Sequence, residues 1–514
     1  MLQDTLPPKN DTRINALLGV RGNAWLRNSL WHLLVPVIFF VVGYYFLNSR
    51  NFFEFSLDEG LNLMKAMLLR QGYSLYGEIW SDQPPLLTYL TLLVFRFWGY
   101  EAAPVRLVVL FTSSILLWAA FEYMRLVWGI VPALIGVVLI TLLPKYLILS
   151  VSVMEGLPAI SFAMLALLAL ACWHKQHRYL FLILSAIALS LSVLIKLFTG
   201  LLAPIFVAGI LIDGLYQFRI ERSWRSLLPP PAIWILVFVL LTAGLGLALT
   251  GTDNLPQLLE THLDASGSEV FDQAIYTINH FLRPVWYILF LALVGTLITF
   301  RSRLWLGLYP LAWMVVAYIS LFFHRPVWVH HQLLVTIPAA MLASIAIYEA
   351  LGWVIDILRP HLRWTTSTAI RIAALVGLIM VVFTIRPLEP YSLLSPDTPV
   401  ATDSLELGED TEKFLNRMIR YAPQSKWVVT DLPMYAFQAG LPVPPNLAVF
   451  SLKRFASGNL TEDDIVQTIQ EYRPEQILLG RQEYPVIKKF LMERYTMIFT
   501  KGMVELYLRN DIAK

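Results

Sequence analysis

From residue 30 to residue 385 the chain alternates long apolar runs with short polar or basic joints. A helix rises about 1.5 Å per residue and a bilayer core is about 30 Å thick, so runs near 20 residues read as membrane spans. The runs fall at residues 30–47, 105–124, 129–147, 157–173, 179–195, 198–216, 230–250, 284–300, 304–323, 331–352 and 368–385. Short cytoplasmic joints are enriched in Lys and Arg. The clusters at residues 174–178, at Arg219, Arg222 and Arg225, at Arg301 and Arg303, and at Arg359 and Arg363 all fall on one side if these spans alternate. A further apolar segment, Pro84 to Trp98, is short and carries Arg96. A full crossing there would move all four basic clusters outside, so it reads as an interfacial or partly inserted helix. Beyond residue 386 the pattern changes to short apolar runs between charged residues. Lys426 to Asp431, Pro474 to Leu479, Tyr495 to Phe499 and Val504 to Leu508 read as strands, and Glu409 to Tyr421 and Thr461 to Tyr472 as helices. The pattern predicts an all-α polytopic membrane domain of about eleven transmembrane helices with juxtamembrane helices, followed by a small soluble α/β domain. The expected divisions are a cytoplasmic leader at 1–29, the membrane domain at 30–386 with its first external loop at 48–104, and an extracytoplasmic domain at 387–514.

Composition supports the membrane reading. Hydrophobic residues make up 57% of the chain and charged residues 15%, well below the roughly 25% charge of soluble proteins. The net charge of +3 comes from the basic joints, and no basic-aromatic patch or zinc pattern points to nucleic acid. Cys172 is the one cysteine, which excludes an intrachain disulfide and a cysteine-rich metal site. The leader carries Lys9, Arg13, Arg21 and Arg27 and no small-residue cleavage site follows the first run, so that run reads as a retained span with its N-terminus inside.

The external loop is long, and long loops are usually functional. It reads Ser56-Leu57-Asp58-Glu59-Gly60, then Gly72-Tyr73-Ser74-Leu75-Tyr76, then Trp80-Ser81-Asp82-Gln83-Pro84-Pro85. Ser56 to Glu59 has capping-box spacing, with Ser56 as cap, Glu59 reaching back and Asp58 favoured at the positive helix end. A carboxylate fixed at a helix start on a membrane surface is also a well-oriented general base, so the two readings are compatible.

Asp58-Glu59-Gly60, Leu68 to Gly72 with Leu75-Tyr76, Trp80 and Gln83-Pro84-Pro85-Leu86 resemble the first external loop of the protein O-mannosyltransferase superfamily, which includes the lipid A aminoarabinose transferases. The resemblance continues to about residue 350 through Glu155 in Ser152 to Pro158, Lys196 in Leu194 to Gly200, Arg283-Pro284, Arg325-Pro326, the pair His330-His331 and Pro338. Two positions depart from it. Gln83 stands where many relatives carry a lysine before the Pro-Pro pair, and Glu155 stands where bacterial relatives commonly carry Asp. The tail resembles that of bacterial members and not the added sugar-binding domains of eukaryotic ones.

The resemblance implies a GT-C fold in a bacterial plasma membrane. It implies transfer of a hexosyl or pentosyl group, with inversion, from a polyprenyl-phosphate donor to a hydroxyl of an extracytoplasmic lipid, glycan or protein. Asp58 is then the base, Glu59 orients it or meets the acceptor, and Glu155 closes the site; Lys196, Arg283, Arg325, His330 and His331 meet the donor phosphate. Lysines and arginines at span ends also simply snorkel to lipid headgroups, and Lys145 is a weaker candidate for the phosphate. Such relatives work without a metal, although Asp58, Glu59 and Glu155 are the oxygen ligands a divalent cation favours. The rival readings are a transporter or lipid flippase and a surface-polysaccharide polymerase or ligase. Transporters place charges near mid-membrane in paired halves, whereas here the acids lie outside the first and third spans and the halves do not match. The polymerases and ligases carry their large loop late, and this chain has its longest membrane-domain loop first.

Overall fold

The computed structural model describes residues 24–47, 52–222, 224–254, 257–258, 274–323, 327–357 and 408–513. Ten of the apolar runs fold as helices, and the eleventh, 368–385, lies outside the described residues, as do Arg325, Arg359 and Arg363. The membrane domain consists of α1 (Ala24–Phe46), α2 (Leu57–Arg70), α3 (Leu86–Trp98), α4 (Ala102–Trp128), α5 (Ile130–Thr141), α6 (Tyr146–Leu149), α7 (Gly156–Gln176), α8 (Tyr179–Ile195), α9 (Ala203–Glu221), α10 (Trp224–Leu227), α11 (Pro229–Thr250), α12 (Ala274–Leu282), α13 (Trp286–Arg301), α14 (Tyr309–Phe323) and α15 (Leu333–Ile357). Seven helices among the described residues are long and apolar enough to cross a membrane. The chain is an integral, multi-pass membrane protein.

Burial separates the centre of the bundle from its rim. The span ending α15 is 89% buried, against 6% for α11, whose apolar side chains face outward as lipid-facing ones do. The run expected at 129–147 is broken. Pro144 cannot donate the amide that a continuing helix needs, so α5 stops at Thr141 and Lys145 takes a left-handed conformation (φ 66°) before α6. Irregular backbone at membrane depth is tolerated where it lines a cavity, as this stretch does. The 13-residue α3 rises about 20 Å, too little for a crossing, and leaves Leu93, Phe97 and Trp98 exposed.

The C-terminal domain follows the sequence pattern closely. Its elements are α16 (Gly408–Tyr421), β1 (Val428–Thr430), α17 (Pro433–Gln438), α18 (Leu452–Ala456), α19 (Glu462–Tyr472), β2 (Gln476–Leu479), α20 (Pro485–Arg494), β3 (Tyr495–Lys501) and β4 (Val504–Arg509). The sheet order is β1-β2-β4-β3, with β1 parallel to β2 and the other pairs antiparallel. A full capping box starts α19, Thr461 accepting from the Asp464 amide while the Asp464 carboxylate accepts from the Thr461 amide.

This domain shares a core with the loop between the first two spans. Leu63, Met64, Met67 and Leu68 of α2 pack in one buried cluster with Phe414, Met434, Tyr435 and Phe437. The backbone of α17 passes so close to α2 that a Cβ on Gly60 would lie 2.5 Å from the Met434 amide nitrogen. Glycine is therefore required there by docking. A Gly60→Val substitution should loosen the C-terminal domain, seen as faster tryptic release of a fragment containing residues 408–513 and a lower thermal midpoint in detergent; unchanged proteolysis would show that docking does not depend on this close approach.

Candidate active site

The start of α2 is fixed by Glu59. Its Oε1 accepts from Arg106 Nε (2.8 Å) and the Val153 amide (3.1 Å), and its Oε2 from Arg106 Nη2 (2.8 Å) and the Phe55 amide (3.0 Å). A carboxylate has about four acceptor positions, and all four are filled. Arg106 also donates to the Phe52 and Phe53 carbonyls, at 2.7 and 3.1 Å. The expected capping box does not form: the Ser56 side chain caps nothing, and Glu59 reaches past it to Phe55 because the bidentate pair with Arg106 on α4 sets its direction. Glu59 is wholly buried and absent from the cavity wall, and its hydrogen bonds go to Arg106, Phe55 and Val153.

Asp58, one residue earlier, faces the other way. It lies on the wall of a cavity of about 1180 Å³, and no side-chain hydrogen bond from the described residues occupies its carboxylate. Asn62 and Lys65 follow at positions i+4 and i+7, so all three share one helix face. Asn62 Nδ2 donates to the Val153 carbonyl at 2.9 Å, and Lys65 Nζ lies 3.7 Å from Glu155 Oε1. The loop carrying Glu155 is thereby tied to α2 at three points, the Val153 amide and carbonyl and the Glu155 carboxylate.

Lys196 closes the cavity where α8 ends, its Nζ 5.0 Å from the Phe198 ring centroid. His330 and His331 line it from the turn before α15, and His331 Nδ1 accepts from the Trp328 amide at 3.3 Å, which makes Nε2 the protonated nitrogen. Lys145 lines it from the left-handed joint before α6. Apolar residues of α14, among them Val316, Ile319 and Phe323, form another wall. The water-facing end is covered by the C-terminal domain through Leu432, Ser451, Lys453 and Arg481. Lys453 Nζ pairs with Asp82 of the loop between α2 and α3 at 2.6 Å, and the Arg454 guanidinium lies 4.6 Å over the Trp80 ring.

The electrostatics follow from this enclosure. Burial, and then the Glu155 charge, raise the Asp58 carboxyl above its ordinary value of 3.8, against lowering by Arg481 and Lys196. Glu54 is pushed up to about 8, first by burial and next by Glu59. Among the described residues no group of three His, Cys, Asp or Glu side chains is placed to hold a metal ion. Glu59 is committed to Arg106, and Glu155 has Lys65 beside it.

Of the residues singled out from sequence, the structure gathers Asp58, Glu155, Lys196, His330 and His331 on one cavity. Arg283 is exposed on the 3-10 turn after α12, away from the cavity wall, and Arg325 is outside the described residues. The pattern missed Arg106, Lys65, Lys453 and Arg481. Lys65 had a signal, a lone cation in an apolar stretch at helical spacing from Asp58.

The fold is GT-C, the architecture of polytopic membrane glycosyltransferases. Residues 82–243 match the family model described as dolichyl-phosphate-mannose-protein mannosyltransferase. Similar solved structures include apo ArnT from Cupriavidus metallidurans, 14% identical with a TM-score of 0.58 over 94% of this chain and 98% of that one. The same protein bound to undecaprenyl phosphate gives 0.54 over the same shares, also at 14% identity. Archaeal oligosaccharyltransferase AglB from Archaeoglobus fulgidus, in complex with an inhibitory peptide and a dolichol-phosphate, is 12% identical with a TM-score of 0.52 over 91% of this chain and 70% of that one. No curated protein matches the chain by sequence.

Removing one partner of a buried ion pair leaves the other charge uncompensated, at about 3–5 kcal/mol. Glu59→Gln and Arg106→Met are each expected to lower the thermal midpoint in detergent strongly, with the double variant less destabilised than the sum of the two. Simple additivity would mean that the pair is not coupled.

Proposed function

We propose that this protein transfers a hexosyl or pentosyl group from a polyprenyl-phosphate donor to a hydroxyl of an extracytoplasmic acceptor, a lipid, cell-envelope glycan or protein. The observation that carries the reading is a single cavity holding an unengaged carboxylate, Asp58, several cations and a long apolar wall. At about 1180 Å³ it exceeds the 300–1,000 Å³ usual for small-molecule sites. That volume suits a lipid-linked sugar whose phosphate sits among the cations while its isoprenoid chain follows α14. The family match and the ArnT and AglB structures with polyprenyl phosphates support the donor class. The site would face the outside of a bacterial plasma membrane.

In this mechanism the acceptor hydroxyl gives its proton to Asp58 as its oxygen attacks the anomeric carbon. The bond from that carbon to the phosphate oxygen breaks, and its electron pair leaves with the polyprenyl phosphate. Attack opposite the leaving group inverts the anomeric centre. Lys196, with Lys145, His330 and His331 around it, stabilises the charge on the departing phosphate, and Arg325 would join them. Glu155 with Lys65 bounds the sugar side of the cavity, and Glu59 serves by holding Asp58 in place.

The test is transfer of radiolabelled sugar from a panel of polyprenyl-phosphate sugars in membranes holding equal amounts of wild type or Asp58→Asn. Loss of a general base costs about 10²–10⁴-fold, so transfer should fall at least a hundredfold while undecaprenyl phosphate still binds; undiminished transfer removes Asp58 as the base. A base works deprotonated, so the rate should rise with pH through a pKa above the ordinary carboxylate value. Because Glu155 is the leading charge raising that pKa, Glu155→Gln should move the acid limb to lower pH; an unmoved limb would assign it to another group.

A further inference from the structure

The water-facing end of the cavity belongs to the C-terminal domain, and its two cations differ. Lys453 is paired with Asp82 at 2.6 Å. Arg481 also lines the cavity, and its Nη1 is buried with no hydrogen-bond partner among the described residues, as is Oε1 of Glu54, a carboxyl that feels its charge. A buried donor left unmade is costly, and such groups in native proteins call for an acceptor.

The position of Arg481 is built. Its amide donates to Asp431 Oδ2 at 2.7 Å, the Gly480 amide to Oδ1 at 3.0 Å, and the Tyr484 hydroxyl to Oδ2 at 2.9 Å. Asp431, just after β1 and fully buried, thus pins the turn after β2 that carries Arg481. The carboxylates that feel its charge on the membrane-domain side are Glu54 and Asp58, and neither forms an ion pair with it. Burial pushes the Glu54 carboxyl up to about 8.

We propose that Arg481 is an active-site residue supplied by the C-terminal domain, gripping a phosphate or carboxylate oxygen of a substrate at the water-facing end of the Asp58 cavity. A planar guanidinium fork matches two such oxygens in a way that a lysine does not. The identity of the substrate rests on the transferase reading; the anion subsite itself does not. The oxygen has two sources, the donor's lipid phosphate and an acidic group on the acceptor. The membrane domain alone would then be an incomplete site.

The experiment uses full-length wild type, Arg481→Gln and Arg481→Lys in detergent, each first shown to keep the wild-type thermal midpoint. Undecaprenyl phosphate is titrated by tryptophan fluorescence, and transfer to endogenous acceptors is followed in membranes. If the donor phosphate is the ligand, Arg481→Gln weakens undecaprenyl phosphate binding at least tenfold, with Arg481→Lys intermediate. If the acceptor supplies the anion, that binding is unchanged but KM for the acceptor rises at least tenfold, again with partial rescue by lysine. Binding and transfer both within twofold of wild type overturn the proposal. Should wild type transfer no sugar from any donor, the transferase reading fails, and the binding titration alone then decides for or against Arg481.

Discussion

One buried ion pair governs the geometry of everything around it. Glu59 and Arg106 join the start of α2 to α4, fix the Phe52–Phe55 segment through its carbonyls and an amide, and take the Val153 amide from the loop that carries Glu155. Burying two charges is favourable only when the geometry is good and the remaining donors and acceptors are met. Here every acceptor position on the carboxylate is used, which removes Glu59 from chemistry and makes it a hub. The consequence is rigidity where a reaction needs it, because Asp58 and Glu155 are carried by segments held to one another.

Three consecutive residues therefore divide the work. Asp58 faces the cavity, Glu59 faces the protein, and Gly60 leaves room for the Met434 backbone. Helical geometry explains the division, since neighbours on an α-helix are turned about 100° apart. The same α2 face that carries Asp58 carries Lys65 two turns on, so the helix presents a carboxylate and a cation from one surface.

The cavity joins two kinds of wall, an apolar one along α14 and a cationic one that includes Lys145 and Lys196. Burying apolar area favours an apolar group along α14, while an anion in a low-dielectric enclosure needs cations within reach. Lys145 meets that need at the cost of a left-handed backbone, which sidechain-bearing residues adopt only when the surroundings impose it, and such strain clusters at functional sites. The shared core between α2 and the C-terminal domain makes that domain a fixed cover over the site.

Periodicity by itself placed ten of the apolar runs in helices and located the β1 to β4 segments and α16 and α19 of the tail, because span length, alternation and capping are local properties. It also placed Asp58 at a helix start, and the motif order brought Glu155, Lys196 and the histidine pair into view. It misread Ser56 to Glu59 as a capping box, since nothing local distinguishes a carboxylate that reaches back from one seized by an arginine 47 positions later. It ran one span through Pro144, where the backbone turns to line the cavity. Arg106, Lys453 and Arg481 carried no local signal because their roles exist only through contacts between distant segments. Tertiary structure alone decided which of two adjacent acids faces the cavity and which domain covers it, because both depend on where buried charges find partners.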